Sequence, residues 1–487
     1  MPIFVYFFIA LVALVAGYAV YSRVIEKLFG ADTGKATPAH TMADGVDYVT
    51  LPPAKIFMIQ LLNIAGVGPV FGPILGALYG PSALLWIVLG SIFAGGVHDY
   101  FSGMMSVRYQ GKSIPDVVGY TLGGYFKQFM RAFSVILLLL VGVVFVSAPA
   151  GLLSKLTPDW MNMSFWVAVI FVYYFLATVM PIDVIIARLY PFFAAVLIVM
   201  AVGVAGGLIM GGYVANSWPV PEGSSWWANS HPEGLPLWPL MFITIACGAL
   251  SGFHATQSPL MSRCVPNESC GRGVFYGAMI TEGVIALVWA TAGMTFYEDA
   301  PALLAAIKAG TPSGVVNEVC MTLLGPVGGV LAILGVVVLP ITSGDTAFRA
   351  ARLVIADFTR LDQSKALPRL TVAIPLFFVG GILSQVDFSI IWRYFSWSNQ
   401  TLATVVLWSA AAYVVRRGGL HWLVSLPATF MTATITTYFC VAEEGLRLDY
   451  SLSVYIGLGV AAVSLTLFLM KGDWFRKTVP LEITGTD

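Results

Sequence analysis

Four ionisable residues lie within long apolar stretches of this sequence. Glu282 stands near the middle of one stretch, His254 lies in another, and His98 and Asp99 lie together towards the end of a third. A charged side chain at the centre of a membrane costs at least ~2.5–3.5 kcal/mol, so such a residue is neutral, paired or functional. For Glu282 and His254 two interpretations stay open: a carrier of protons or substrate, or a hydrogen bond to a neighbouring segment.

The pair of His98 and Asp99, and separately Asp345, stand near the ends of apolar stretches and are candidates for a gate or a relay. His98 and Asp99 are candidates for a proton relay, or for an anchor of the inner gate that pairs with Arg108 or another basic neighbour. Asp345 precedes Arg349 by four residues, a helical spacing that favours a local ion pair.

The elements that position these residues must cross a membrane. The chain has 487 residues, of which 58% are hydrophobic and only 10% are charged. Mean hydropathy is +0.85, and a soluble chain of this length needs far more charge to cover its surface. The fold class predicted is an all-α polytopic membrane protein. The formal net charge is zero, which favours no nucleic-acid partner, and the five scattered cysteines predict neither a metal site nor a cofactor.

About thirteen apolar segments are long enough to cross the hydrocarbon as helices. They cover residues 2–22, 55–79, 82–105, 129–153, 163–182, 187–213, 237–258, 271–296, 324–348, 368–385, 389–415, 421–442 and 450–470. We expect a short outer helix in 301–323 and an aromatic outer loop in 214–236.

Basic residues indicate how these spans are oriented. Of the 25 Lys and Arg residues, 21 fall in or beside the gaps that follow odd-numbered spans. Since basic residues accumulate on the cytoplasmic side, these gaps are predicted to be cytoplasmic. The N-terminus is then outside and the C-terminus is in the cytoplasm.

Two spans contain residues that disturb a helix. Residues 63–80 read "NIAGVGPVFGPILGALYG", with Pro69 and Pro73 among five glycines, and Pro259 follows Gly248 and Gly252 in the span 237–258. A break in a membrane helix is tolerated only where protein or a cavity satisfies the freed backbone groups. We therefore expect two discontinuous helices whose breaks face inward.

The two broken spans lie five apart, so two five-helix units would have opposite orientations. Such an inverted repeat is typical of secondary transporters, whose site lies where the broken helices meet. The predicted organisation is an extra helix 1–22, a cytoplasmic loop 23–54, a first repeat 55–213, an outer loop 214–236, a second repeat 237–415, and two C-terminal helices with a tail in 416–487. The alternative is that glycines here only allow close helix packing.

Polar residues around the two breaks, and in the span 389–415, could contact a solute. The candidates for substrate binding or coupling are Asn63, Gly66, Gly68, Ser251, His254, Gln257, Glu282 and Asn399. Asn399 could instead join helices together. No phosphate-binding loop, zinc-protease motif or nucleophile elbow occurs in the sequence, so we do not expect an enzyme.

Several motifs together resemble the carbon starvation family of CstA-type transporters. They are "TPAH" (37–40), "DGVDYV" (44–49), "GVGPVFGPILGA" (66–77), "VHDYFSGMMSVRYQGKSIPDV" (97–117), "SGFHATQSP" (251–259), "YGAMITEG" (276–283), "DTAFRAARLVIAD" (345–357) and "RYFSWSNQTLA" (393–403). The resemblance spans about residues 35–410 and implies a LeuT-like fold of the amino acid–polyamine–organocation type.

The resemblance also implies a function and a possible ion site. It implies uptake of small peptides, or of pyruvate in one branch, across the bacterial inner membrane during carbon starvation. In sodium-coupled transporters with this fold, a hydroxyl pair on the eighth core helix helps to hold Na⁺. Thr342 and Ser343 resemble that pair, with Ala65, Gly66 and Val67 as candidate carbonyl ligands.

The function expected is therefore an ion-coupled importer of small peptides, with symport of pyruvate or another small carboxylate as the alternative. The titratable residues Glu282 and His254 slightly favour H⁺ over Na⁺ as the coupling ion. A nutrient sensor or membrane enzyme with a transporter fold is a further possibility, which would require a soluble domain or a catalytic cluster. The expected partners are the lipid bilayer and the solute, and the sequence does not indicate an oligomeric state.

Overall fold

The computed structural model is helical throughout. It describes residues 2–45, 48–179, 186–215, 218, 226–227, 229–359, 361 and 366–483, and no strand occurs among them. The helices are Ile3–Phe29, Pro38–Thr41, Pro53–Ala65, Gly68–Ala77, Ser82–Arg108, Ile114–Leu122, Gly124–Leu156, Met163–Val179, Ile186–Met210, Tyr213–Ala215, Leu237–Met241, Phe242–Thr244, Gly252–Ser262, Glu268–Phe296, Ala300–Ile333, Leu334–Val338, Leu339–Thr359, Ala366–Leu383, Phe388–Arg417, Trp422–Val441, Tyr450–Met470 and Gly472–Thr478.

Helical segments overlie each predicted span within the described part of the chain. Eight of these helices are long and apolar enough to cross a membrane, or nine if a bent pair is counted as one span. The 30-residue helix Phe388–Arg417 overlies the span 389–415, and shorter or interrupted helices overlie the other remaining spans. The all-helical, multi-pass fold is thereby confirmed, whereas the division into domains stays a prediction.

Local signals in the sequence explain several helix ends. The Asp449 carboxylate accepts a hydrogen bond from the backbone N–H of Leu452, 3.1 Å away, and so caps the helix that begins at Tyr450. Asp299 caps the helix that begins at Ala300 in the same way, through the N–H of Ala302 at 2.8 Å. Side chains on these ends replace the intrahelical partners that the first turn lacks.

The helices differ in how much of their surface they bury, as expected for a protein surrounded by lipid. Glu268–Phe296 is buried over most of its length and packs against Gly68–Ala77. Tyr450–Met470 packs mainly against Trp422–Val441 and exposes apolar side chains such as Tyr455 and Val463. Helices at the centre of a membrane protein are buried by other helices, and helices at its periphery expose apolar side chains because lipid surrounds them.

The first predicted break is present, at a different residue from the prolines. The helices Pro53–Ala65 and Gly68–Ala77, here called the first broken helix, meet at a bend of 48°. Gly66 has φ 49° and ψ −136°, a conformation that only glycine adopts without strain. Pro69 lies in the first turn of the second half, where no amide donor is needed, and Pro73 lies inside that helix.

The second predicted break is wider. The helix Phe242–Thr244 ends at Ile245, and the next helix begins only at Gly252; these two form the second broken helix. Gly248 in the non-helical link has φ 88°. The expectation of two discontinuous helices is therefore correct.

The segment before the predicted span 324–348 is also helical, as expected for an outer helix. Ala300–Ile333 is interrupted at Thr311, with φ 58°, and at Gly325, with φ 61°. Of the outer loop, Trp218 is buried and its indole N–H donates to the Tyr297 carbonyl at 3.0 Å. Residues 216–217, 219–225 and 228 of that loop lie outside the described part of the chain.

Candidate functional site

The two broken helices touch at their interruptions. A Cβ atom added to Gly68 would lie 2.4 Å from the sulfur of Cys247, so only glycine allows this approach. On the other side of the contact, a Cβ on Gly248 would lie 3.8 Å from the Cα of Pro69 and 2.6 Å from the side chain of Ala286. The breaks therefore form one site, with the helix Glu268–Phe296 behind it.

Hydrogen bonds of the Asn399 side chain stabilise the conformation of the second break. Its side-chain oxygen accepts from the N–H of Phe253 at 2.6 Å and from the Ser251 hydroxyl at 3.1 Å. Its amide nitrogen lies 3.0 Å from the same hydroxyl and 3.8 Å from the sulfur of Cys247. Asn399 thus supplies from another helix the cap that the half-helix starting at Gly252 lacks.

The freed carbonyl groups of the same link are also satisfied by protein. The Ser91 hydroxyl donates to the Gly248 carbonyl at 2.9 Å, and the Trp86 indole N–H donates to the Ile245 carbonyl at 3.1 Å. Both donors belong to the helix Ser82–Arg108. This is the internal compensation that a break inside a membrane requires.

A chain of four ionisable side chains passes beside the breaks. The Nδ1 of His98 lies 2.7 Å from Asp99 Oδ1, and the Nδ1 of His254 lies 2.8 Å from Asp99 Oδ2. On its other side, His254 Nε2 lies 3.3 Å from Glu282 Oε2. All four side chains are 0% exposed, so the site is closed in this structure.

This chain connects three separate helices. His98 and Asp99 belong to Ser82–Arg108, His254 to the second broken helix, and Glu282 to Glu268–Phe296. Arg108 is not the partner of His98 and Asp99, because it forms its ion pair with Glu268, whereas Asp99 pairs with another basic neighbour, His254. The geometry can pass a proton along a line of imidazoles and carboxylates.

Three atoms in the site are of the types that transition metals bind. Cys247 sulfur, a His254 nitrogen and a Glu282 oxygen all lie within 4.8 Å of one another. His254 Nε2 already faces Glu282 as an ion-pair partner. We therefore interpret the cluster as an ion pair beside a thiol.

The possible sodium site is only partly assembled as expected. The Ser343 hydroxyl donates to the Leu62 carbonyl at 3.2 Å, which is one turn before the expected carbonyls of Ala65, Gly66 and Val67. Thr342 is buried beside Ser343. The expected contact between this helix and the first broken helix exists, but at a different carbonyl.

Buried carboxamides lie on the halves that flank the breaks. Asn63 Oδ1 and both side-chain polar atoms of Gln60 are buried without a hydrogen-bond partner, as is Gln257 Oε1. Gln60 and Asn63 are three residues apart and share one face of their helix. Gln257 donates to the Thr256 hydroxyl at 3.0 Å. Such groups are available to a solute or to water.

Asp345 lies away from the four-residue chain. Its Oδ1 is 3.9 Å from Nη2 of Arg349, which fits the expected local pair at a helical spacing of four. Both side chains are almost fully buried. The contact does not connect Asp345 to the proton pathway suggested by the other four groups.

Cys247 and Gln60 lie in or beside the site without any prediction from the sequence, and Glu268, the partner of Arg108 at the start of the helix that carries Glu282, was not predicted either. Cys247 lies four residues before Ser251, and Gln60 lies three before Asn63, so proximity along the chain offered a signal for both. Glu268 lies in a polar loop, where an acidic residue is ordinary. Its burial to 1% exposure becomes visible only in three dimensions.

The fold is that of multi-pass transporters with the LeuT-like architecture. A solved transporter of the nucleobase-cation-symport-1 family, in a closed conformation with bromovinylhydantoin bound, aligns at a TM-score of 0.57 and 16% identity over 88% of this chain and 94% of its own. A manganese transporter of Eremococcus coleocola aligns at 0.53 and 13% identity, over 90% of this chain and 100% of its own. At such identities the likeness concerns the fold alone.

The sequence identifies the family within this class. Residues 3–159 and 153–323 of the chain match the family model described as "Carbon starvation protein CstA". The protein belongs to the carbon starvation protein CstA family.

Relatives within the family differ in how much of the chain they match. A membrane protein of Haemophilus influenzae is 48% identical over 351 residues, 63% of this chain and 94% of that protein. A protein of Bacillus subtilis named peptide transporter CstA is 29% identical and covers 88% of this chain and 89% of its own. The peptide transporter CstA of Helicobacter pylori is 28% identical over 56% of this chain and 48% of its own.

Proposed function

We propose that this protein imports small peptides across the bacterial inner membrane together with protons. The observation that carries the proposal is the chain from His98 through Asp99 and His254 to Glu282, fully buried where two broken helices meet. Buried ionisable groups inside a membrane protein are costly and mark ion or proton pathways. Their position beside the breaks supports one shared site for ion and solute.

The coupling we propose depends on Glu282. Protonation of this carboxyl from outside would remove its ion pair with His254, which joins the second broken helix to the helix Glu268–Phe296. The two helices could then separate. One proton that moves inward through ~100 mV supplies ~2.3 kcal/mol, enough for useful accumulation of a solute.

The names of relatives and the polar groups at the site support a peptide as solute. Relatives in several bacteria are named peptide transporters. The carboxamides of Asn63 and Gln257 suit the N–H and C=O groups of a peptide bond. The half-helices that begin at Gly68 and Gly252 direct their N-termini into the site region, where a carboxylate is favoured.

Pyruvate or another small carboxylate is the second candidate solute. The close contact of Gly68 with Cys247 leaves little space directly between the breaks in the closed state, which favours a small solute. Sodium is the second candidate for the coupling ion, since Ser343 contacts the first broken helix.

We further propose an orientation in the membrane and a role without catalysis. The basic residues favour a cytoplasmic C-terminus and an outer N-terminus. We propose that the chain catalyses no reaction, in keeping with relatives and structural neighbours that are transporters. A role during carbon starvation is suggested by the family name alone.

Transport in proteoliposomes tests the proposal. Purified protein is reconstituted, and uptake of a labelled dipeptide and of labelled pyruvate is measured under an inward proton gradient, an inward sodium gradient, or neither. We expect accumulation of dipeptide with the proton gradient only. Accumulation of pyruvate alone, or dependence on sodium alone, would replace the solute or the ion, and no accumulation under any gradient would refute the importer.

A matched pair of variants tests the assigned carboxyl. Glu282→Gln is expected to abolish accumulation under a proton gradient, while exchange of dipeptide across the membrane without a gradient is retained. Glu318→Gln serves as control, because this carboxyl is exposed and accepts a hydrogen bond from the Tyr297 hydroxyl, 2.8 Å away, outside the site. Native accumulation by Glu282→Gln would refute the role of this residue.

A further inference from the structure

Three segments that are far apart in the sequence meet at one end of the molecule. They are the loop 30–51, of which the structure describes residues 30–45 and 48–51, the segment 263–268 and the C-terminal tail 479–483, and together the described residues are called the latch here. We infer that the latch holds the cytoplasmic side of the site closed, and that the tail is its releasable part. This inference rests on the proposed function for its direction, because it places the latch at the inner gate.

The segment 263–268 connects the latch to the two helices that carry the site residues. It directly follows the half-helix Gly252–Ser262, which carries His254, and leads into the helix Glu268–Phe296, which carries Glu282. Any movement that separates these two helices must move this segment. Contacts that immobilise it therefore hold the ion pair of the site together.

The loop 30–51 contains the "TPAH" motif and binds the segment from one side. Its contacts are Thr37 hydroxyl to Val265 carbonyl at 2.6 Å, His40 Nε2 with Pro266 carbonyl at 3.1 Å, and Leu51 N–H to Cys264 carbonyl at 3.3 Å. Thr37 is 1% exposed. The motif thus binds backbone carbonyls, which explains a polar sequence that the transport site does not use.

A buried ion pair joins the same segment to the helix Ser82–Arg108. Arg108 forms a bidentate pair with Glu268, whose second contact is 2.7 Å, and the two side chains are 4% and 1% exposed. Glu268 also accepts from the N–H of Asp32 at 2.7 Å, and Arg108 donates to the Gly30 carbonyl at 3.0 Å. This ion pair is the buried centre of the latch.

The tail lies beside this buried centre. The N–H of Ile483 donates to the Arg108 carbonyl at 3.2 Å, and the Tyr109 hydroxyl donates to the Pro480 carbonyl at 2.7 Å. Glu482 forms an ion pair with Lys35 of the loop, and these two side chains are 46% and 35% exposed.

Exposure decides which part of the latch can open. The pair of Arg108 with Glu268 is buried, and breaking it leaves an uncompensated charge. The pair of Lys35 with Glu482 is solvated, and exposed ion pairs are weak and sensitive to salt. The tail can therefore leave first and release Arg108 and Tyr109, which it contacts, and we expect the segment 263–268, held by Arg108 through Glu268, to loosen with them. Cys264 in that segment is only 8% exposed while the tail is bound.

Alkylation of Cys264 measures whether the tail keeps the latch closed. The full-length protein is treated with N-ethylmaleimide, and the modified fraction of each native cysteine is followed over time by peptide mass spectrometry. Glu482→Lys places like charges against Lys35 and is expected to raise the rate at Cys264 several-fold. Lys35→Glu combined with Glu482→Lys restores the ion pair and is expected to restore the native rate.

Two further measurements separate the possible outcomes. Cys320, which is 0% exposed on the outer helix Ala300–Ile333, should keep its native rate, because a general loss of structure would raise both rates. Tyr109→Phe removes a tail contact without a charge and should also raise the rate at Cys264. Unchanged labelling of Cys264 in both Glu482→Lys and Tyr109→Phe, or failure of the double variant to restore it, would overturn the latch.

The same assay distinguishes the latch from the proposed function, since it uses no solute. Altered labelling with no uptake of any solute would leave the latch in place and remove the importer. Normal uptake with unaltered labelling would do the reverse.

Discussion

Gly68 packs directly against Cys247, so the first turn after the break in the first broken helix meets the non-helical link of the second. A Cβ atom at position 68 would lie 2.3 Å from the Cβ of Cys247, closer than two such atoms can approach. The contact joins the first half of the fold to the second at the point that also adjoins the ion-pair chain. A larger side chain at position 68 should therefore disturb the closed state directly.

Replacing Gly68 by alanine should destabilise the closed protein. Overpacking of a well-packed interior typically costs about 1–3 kcal/mol, so the apparent melting temperature in detergent should fall. Gly459→Ala is the matched control, because a Cβ there meets nothing within 4 Å and the residue also lies in a helix. A melting temperature for Gly68→Ala equal to that of the control would contradict the observed contact.

Asp99→Asn should impair both stability and coupled uptake. The carboxylate contacts His98 at 2.7 Å and His254 at 2.8 Å, and hydrogen bonds to charged groups contribute about 1.5–3 kcal/mol each. We expect a lower melting temperature and at least a tenfold slower uptake driven by a proton gradient. Asp116→Asn, which disturbs contacts with Lys127 at 2.7 Å, Arg131 at 3.5 Å and Ser113 at 3.3 Å away from the site, should transport normally.

Ser343→Ala distinguishes the two candidate ions. The substitution removes the hydrogen bond to the Leu62 carbonyl, for which the expected cost is about 0.5–1.5 kcal/mol. If protons drive uptake, the initial rate should change little and sodium should have no effect in either protein. A native protein stimulated by sodium, together with a Ser343→Ala variant that is not, would assign the coupling to sodium instead.

Glu268→Gln should be far more damaging than an exposed substitution of the same kind. Removal of one partner of a buried ion pair costs about 3–5 kcal/mol, because the Arg108 charge remains 4% exposed without a counter-charge. We expect a strongly reduced yield of folded protein, measured by size-exclusion chromatography. Glu233→Gln removes the exposed outer pair with Lys308 and should leave the yield unchanged. Equal yields would show that the buried pair contributes little.

The loop 214–236, which the sequence predicts to be outside, should respond to acidic pH through His231. Its ring lies 4.7 Å from that of Tyr79, and burial lowers the pKa of His231, while Glu233 acts in the opposite direction. Because the folded state disfavours the protonated form, the packing contributes stability above the ordinary pKa of about 6.5 and loses it as the pH falls below that value.

Nuclear magnetic resonance of protein labelled at its five histidines checks this expectation. The signal that disappears in His231→Gln should titrate with a pKa below about 6.5 in the native protein. Glu233→Gln should lower that pKa further, since it removes the group that raises it. An ordinary or raised value for His231 would contradict the inferred burial.

Much of the fold follows from properties that each segment carries alone. The apolar runs, the prolines and glycines of the two interrupted spans, and the bias of basic residues are local, and they predict helices, breaks and an inverted arrangement. The exact position of a break is less local. Pro69 and Pro73 indicate the correct span, but the chain turns at Gly66, because Pro69 fits the first turn of the following helix.

The partners within the site do not follow from local properties. Asp99 contacts His254, 155 positions away, instead of the nearby Arg108, and Asn399 reaches Ser251 across 148 positions. Ser343 meets Leu62 instead of the residues at the break. Such pairs depend on which faces of packed helices oppose each other, and a single sequence does not specify this.

The sequence by itself determined a membrane-embedded bundle of helices with two interruptions and costly buried charges, because insertion into lipid sets a free-energy requirement on every segment separately. Only the tertiary structure decided that four of these charged or titratable groups form one chain, that the "TPAH" loop binds the segment 263–268, and that the tail lies against residues 108–110. Those arrangements arise from packing between distant segments, where the cost of a buried polar group is met by whichever partner the fold brings within reach.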